Sequence, residues 1–310
     1  MGSEPNNLIG TDPNYSTAII AALESVSGAA SSSAAMTNLH FEARQGTHDV
    51  WVCRYDLNIL NDLNVLNEKH KLLVKQLHPH QGQAFSFRST FELQQRLFAQ
   101  GLGAEPLYYD EKEQIWIEAY VPKRHSAPND EIHLAHALAQ LHQAQQSSAP
   151  ANGDPVQPLR QLDPVKQCRA LIQRLDELPS SKTTIAAHLN EQLDDLVNDM
   201  TQAGCGKNDS SWVLCHNDLH IEHLRGDFDK GDYQMVDWEY SAVGPRYFDL
   251  ASCIAINKLE KPAQTLLLNT YSKLTQLNSV DVTQKTELYL RLVGLINQAW
   301  SKLVVLSSDN

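Results

Sequence analysis

The sequence predicts an α+β fold in two lobes, a small, mostly-β N-terminal lobe over residues 1–121 and a larger, mostly helical C-terminal lobe over 122–310. Three observations lead there. Alternating and β-branched segments crowd the first part of the chain, whereas apolar residues spaced three and four apart dominate after Glu131. A polar stretch opening on Pro122 separates the two patterns. Within the second part, Asp218 and Asp237 each stand where an apolar segment gives way to a polar turn.

Composition bounds the function. The chain has 310 residues, 42% hydrophobic and 20% charged, which suits an ordinary globular protein with ample core. Its net charge of −12 argues against nucleic acid or an anionic membrane as partner, and favours a cationic small molecule where the acids cluster. No apolar run approaches the roughly 18 residues of a membrane span, and residues 1–11 lack the pattern of a signal peptide. Five scattered cysteines without metal-ligand spacing read as reduced thiols, so a cytoplasmic setting is expected.

The elements follow in order. Residues 16–26 carry Ile19, Ile20, Leu23 and Val26 at helical spacing, then a Ser/Ala-rich link runs to Met36. Strands are expected at 39–44 and 50–55 around a turn at 45–49, and at 71–77. The Leu-Asn pairs of 56–70 read as an enlarged hairpin connection. A helix at 89–100 stops at Gly101 and Gly103. Segments 107–109 and 114–121 form a hairpin with a charged tip, Asp110 to Glu113. Helices are expected at 131–145, 164–175 and 185–203, and after Asp249 at 250–258, 263–274 and 284–303.

Chemistry concentrates in Cys215-His216-Asn217-Asp218-Leu219-His220 and, further on, Val236-Asp237-Trp238-Glu239-Tyr240. Either aspartate alone is most simply a turn residue. Together they suit a site in which one carboxylate receives a hydroxyl proton and the other holds a divalent metal on phosphates. A His-X-Asp loop followed closely by a second Asp resembles the phosphotransferase superfamily. His-Asn-Asp-Leu with Asp-Trp-Glu-Tyr is most similar to its choline/ethanolamine kinase branch, beside the aminoglycoside phosphotransferases. The resemblance spans roughly 18–304, with specific motifs at 214–251 and, less densely, 72–142. It implies a protein-kinase-like fold, ATP with Mg²⁺ (Mn²⁺ as an alternative) and phosphorylation of a small amino alcohol such as choline or ethanolamine. Thiamine or an aminoglycoside is the rival acceptor. A catalytically impaired nucleotide-binding pseudokinase is the rival class.

The resemblance assigns roles. Asp218 is the base, His216 braces its loop, and Asp237 binds metal. His223 stands where the family has a second metal ligand, Asn. Imidazole suits softer ions than Mg²⁺, so metal binding is altered, Glu222 or water substitutes, or activity is lost. His216, His220, Glu222 and His223 also raise a zinc site, although the spacing is not His-Glu-X-X-His. Lys75 is expected on the α/β-phosphates with Glu92 as its partner, and Arg54 is the rival cation. The nucleotide loop is 45–49, with Gly46, or alternatively 33–38. Glu118 and Tyr120 fall in the linker whose backbone would meet adenine. His142 is expected to be structural, and Asp249 to bond the amides of the catalytic loop. Glu239, Trp238, Tyr240 and Trp300 are acceptor-site candidates through carboxylate and aromatic contacts. For Trp300, core packing competes.

Overall fold

The computed structural model describes residues 19, 21–22, 25–26, 39–45, 48–54, 71–77, 87–123, 129–144, 159–177, 183–206, 211–227 and 232–308. The chain divides into two compact units, Met1–Gln95 with Ala104–Val121, and Arg96–Gly103 with Pro122–Asn310. The sequence suggested one cut, at 121/122. Residues 96–103 go with the second unit because the Met235 N–H donates to the Leu102 carbonyl at 2.9 Å and Gly103 bridges Met235.

The first unit is built on a five-stranded antiparallel sheet in the order β1-β2-β3-β5-β4. Its strands are β1 Leu39–Gln45, β2 His48–Arg54, β3 Lys71–Gln76, β4 Pro106–Asp110 and β5 Ile115–Ala119. Strand alternation sends Leu72 and Val74 to one face, where they pack with Ile115 and Ile117 and with Ile19 and Ala22. Val74 and Ile117 are fully buried, each contributing about 1.5–3 kcal/mol. On the other face Leu77 and Trp116 meet Phe87 of helix α1, Phe87–Phe98. Phe91 of that helix stands edge-on to Trp116 at 5.1 Å. The helix stops at Gly101, whose φ of 74° suits a residue without Cβ. At the hairpin tip the Asp110 carboxylate accepts the N–H groups of Lys112 and Glu113, both at 2.9 Å.

The second unit is mostly helical: α2 Asp130–Gln143, α3 Pro164–Asp176, α4 Thr183–Gln202, α5 Arg246–Ile256, α6 Lys261–Thr275 and α7 Ser279–Ser308. Proline at the first position and Asp163, which accepts the Lys166 N–H, define where α3 begins. The α5 helix starts four residues before the sequence suggested, directly after Pro245. Helix α2 packs along α6, and α3 and α5 pack along α7. Two short antiparallel ribbons complete the unit. One pairs β6 Trp212–Cys215 with β9 Ala242–Pro245, the other β7 Leu224–Asp227 with β8 Asp232–Met235. No described helix is long and apolar enough to cross a membrane.

Candidate active site

Strand β6 ends at Cys215 and delivers His216, Asn217 and Asp218 into a loop held from two sides. The His216 ring is fully buried, donates from Nε2 to the Val236 carbonyl at 3.0 Å and lies 4.8 Å from the Trp238 ring. Burial, and then the nearby His223, push its pKa down to about 4, so the ring is neutral. Asn217 sits at φ 63°, a left-handed position that Asn tolerates, and donates from Nδ2 to the Tyr240 carbonyl at 3.0 Å. Asp249 of α5 accepts the backbone N–H of His216 at 2.9 Å and that of Asn217 at 2.7 Å. These are the amide bonds read from the sequence. Asp249 also accepts Nε2–H of the buried His142 at 3.0 Å, whose Nδ1 accepts the Tyr271 hydroxyl at 2.7 Å. Burial by itself would raise Asp249, but the hydrogen bond and field of His142, then His216, hold it below the ordinary carboxylate value.

The Asp218 carboxylate is pushed up to about 7, first by burial, then by Asp237, Glu239 and Asp249. A carboxylate poised near neutrality beside other acids is what a site for proton transfer requires. Asp237 follows β8 at φ 70° and opens the 3₁₀ turn Trp238–Tyr240. His223 ends the 3₁₀ turn Ile221–His223, capped by His220, whose Nδ1 accepts the Glu222 N–H. His223 Nδ1 donates to the Asp218 carbonyl at 2.7 Å, which fixes the proton there. The other nitrogen, Nε2, lies 3.7 Å from Asp237 Oδ2. Asp218, His223 and Asp237 thus each offer a ligand atom within 4.8 Å of the other two. Two carboxylates and an imidazole nitrogen fit a divalent cation.

The four-residue zinc set suggested by the sequence does not form. His216 is turned onto Val236 and Trp238, and His220 spends Nδ1 on its turn. A second buried group, His142, Cys215 and Asp249, is a structural clasp: its histidine and aspartate bond each other, and burial raises the Cys215 thiol well above its usual value.

In the first unit the carboxylate beside Lys75 is Glu118, with Nζ and Oε1 3.9 Å apart, where Glu92 was expected. Strand register explains the change. Leu73 pairs with Glu118 and Lys75 with Trp116, so Glu118 is the diagonal neighbour of Lys75 on one face. Helix α1 presents the neutral Gln94 to that face. Glu118 is buried, and its Oε2 accepts Gln94 Nε2 at 2.8 Å and Trp116 Nε1 at 3.0 Å. Glu118 therefore lies within β5, its side chain held by Gln94 and Trp116 with Lys75 alongside; Tyr120 follows the strand end. Arg54 pairs with Lys71 at the end of β2. Gly46 and the alternative loop 33–38 lie outside the described residues.

Trp238 needs correction as an acceptor-site candidate, and for Trp300 it is the competing core reading that does. Trp238 is 2% exposed and donates Nε1–H to the Met235 carbonyl at 3.1 Å, so its ring is packing under the loop. Trp300 is 59% exposed, because the buried stripe of α7 runs through Leu292, Leu295, Ala299 and Leu303 on another side; it is not core. Glu239 is half-buried beside Asp218, and Tyr240 is 43% exposed, its hydroxyl pushed up to about 12 by burial and then Glu239. The sequence reading missed Asn257, which accepts the Ile221 N–H at 2.8 Å and donates to the Leu219 carbonyl at 2.9 Å. Its signal was an Asn at the end of α5, where a cap is the simpler explanation.

The chain matches the phosphotransferase enzyme family over residues 74–282. A search of curated proteins found no match. Among solved structures, a choline/ethanolamine kinase family protein from Mesorhizobium loti superposes with TM-score 0.63 at 16% identity, over 93% of this chain and 87% of the other. Choline kinase from Cryptosporidium parvum gives 0.61 at 14% identity, over 94% and 96%. A spectinomycin phosphotransferase in complex with ADP and spectinomycin gives 0.53 at 14%, over 88% and 83%. Such distant likenesses establish the protein-kinase-like α+β fold. The family match, which covers most of its length, places this chain in the phosphotransferase enzyme family.

Proposed function

We propose that the protein is an ATP-dependent kinase that transfers the γ-phosphate to a hydroxyl of a small cationic amino alcohol, choline or ethanolamine first. The observation that carries this is Asp218, half-buried, held near neutrality and set against His223 and Asp237. In this reading Asp218 accepts a hydrogen bond from the acceptor hydroxyl, aims its oxygen in line with the γ-phosphorus and takes the proton. His216, Asp249 and Asn257 keep the loop that carries it in one conformation. Asp237 and His223 would hold the divalent cation, which neutralises charge on the β- and γ-phosphates when bound. Lys75, steadied by Glu118, would meet the α/β-phosphates. The acidic field of Asp218, Asp237 and Glu239 favours a cationic acceptor. The names of the choline kinase neighbours agree with that preference.

An ADP-release assay over choline, ethanolamine, thiamine and kanamycin tests the proposal. Turnover on one acceptor that Asp218→Ala abolishes supports it and names the substrate class. Thiamine or kanamycin turnover replaces the amino alcohol. ATP binding with silence on every acceptor favours a pseudokinase.

A further inference from the structure

We propose that His223 is a direct cation ligand through Nε2, and that this makes the site prefer a first-row transition ion, with Mn²⁺ as its working representative, over Mg²⁺. The inference rests on the phosphotransferase reading of the site and adds the identity of its metal.

Three features carry it. The imidazole is oriented before any ion arrives: Nδ1–H is committed to the Asp218 carbonyl at 2.7 Å, so the lone pair belongs to Nε2. That nitrogen lies 3.7 Å from Asp237 Oδ2, a separation that one cation between them can span. The ring cannot easily turn away. It stacks at 5.9 Å on buried His216 and stands edge-on to His220 at 6.0 Å. The donors are therefore the Asp237 carboxylate and the His223 imidazole, with Asp218 beside them as the base of the proposed reaction. Mg²⁺ demands hard oxygen ligands and near-ideal octahedral geometry, and gains little from a nitrogen. First-row transition ions accept mixed nitrogen and oxygen donors, with affinity rising along the series from Mn²⁺.

The decisive experiment loads the full chain with Mn²⁺ and a non-hydrolysable ATP analogue, then records electron spin-echo modulation. The expected result is a ¹⁴N coupling that changes on ¹⁵N-histidine labelling and disappears in His223→Asn. It should persist in His220→Asn, which alters a neighbouring imidazole outside the donor set. In the same samples, the Mg²⁺ excess needed to displace half the Mn²⁺ should fall roughly tenfold in His223→Asn, the low end of changes around bound metals. Bound Mn²⁺ without histidine coupling overturns the proposal, as does an unchanged Mg²⁺ excess in the variant. The kinase reading fails separately: histidine-coupled Mn²⁺ with no turnover on any acceptor leaves the ligand assignment standing, while turnover with uncoupled metal does the reverse.

Discussion

Loss of Asp249 should be felt strongly in the loop that carries Asp218. Its carboxylate accepts three buried or part-buried donors, the backbone N–H of His216, that of Asn217 and Nε2–H of His142. Asp249→Ala leaves all three without an acceptor. At the low end of about 1 kcal/mol for each orphaned donor, the cost is about 3 kcal/mol, a large part of a typical total of about 5–15 kcal/mol. Asp249→Asn is milder. With its oxygen at the Oδ2 position the amide keeps the His216 N–H and Nε2–H of His142, and only the Asn217 N–H is left facing the new NH₂ group. The expected cost is about 1 kcal/mol. Urea unfolding of the two variants measures the difference, and hydrogen exchange at the His216 and Asn217 amides shows whether the loop itself has opened. The reasoning fails if Asp249→Ala unfolds within 1 kcal/mol of the parent, or if those amides exchange no faster.

Three further outcomes are expected. Two buried imidazoles of the second unit, His216 depressed to about 4 and His142 also depressed by burial, let the unfolded chain take up their protons first as pH falls below about 6.5. Asp218, raised to about 7, takes up its proton first in the folded chain and opposes them. For His216 alone the loss of stability is about 1.4 kcal/mol at pH 5.5 and about 3 kcal/mol at pH 4; Asp218→Asn removes the opposing carboxyl, and flat stability of that variant over the window would contradict the reasoning. Glu118→Gln keeps an acceptor for Gln94 and Trp116 but removes the charge beside Lys75, so KM for ATP should rise with the melting temperature nearly unchanged, whereas Glu92→Gln should leave KM alone. Trp238→Ala should cost about 3–5 kcal/mol as a buried truncation, and Trp300→Ala less than about 0.5 kcal/mol in the same thermal or urea unfolding assay.

The site was legible where chemistry is encoded locally. Asp218 and Asp237 announce themselves by standing where short apolar stretches give way to polar turns, and the structure brings both to His223. The element order was legible too, because strand and helix periods differ. What escaped depends on relations between distant segments. The partner of Lys75 is set by the register of β3 against β5, and no local pattern tells a diagonal strand neighbour from a helix residue. Trp238 lies in a single 3₁₀ turn, too short for any period to say which way its ring points. Trp300 sits next to Ala299 on α7, so helical spacing alone left its side open until the packing of α3 and α5 chose the buried stripe. Asn257 bonds a loop 36 residues earlier in the chain, invisible to a windowed reading.

The clasp around Asp249 also dictates when the site can come into being. Its bonds join residues 33, 107 and 129 positions apart. Closing such long loops comes late in folding, because chain entropy is spent before contacts return it. A nascent chain that has produced Asp218 and Asp237 still lacks Tyr271, whose hydroxyl orients His142 toward Asp249. The loop that carries Asp218 is thus set only after α2, α5 and α6 have met, and a chain truncated before α6 would carry Asp218, His223 and Asp237 without the clasp that arranges their loop.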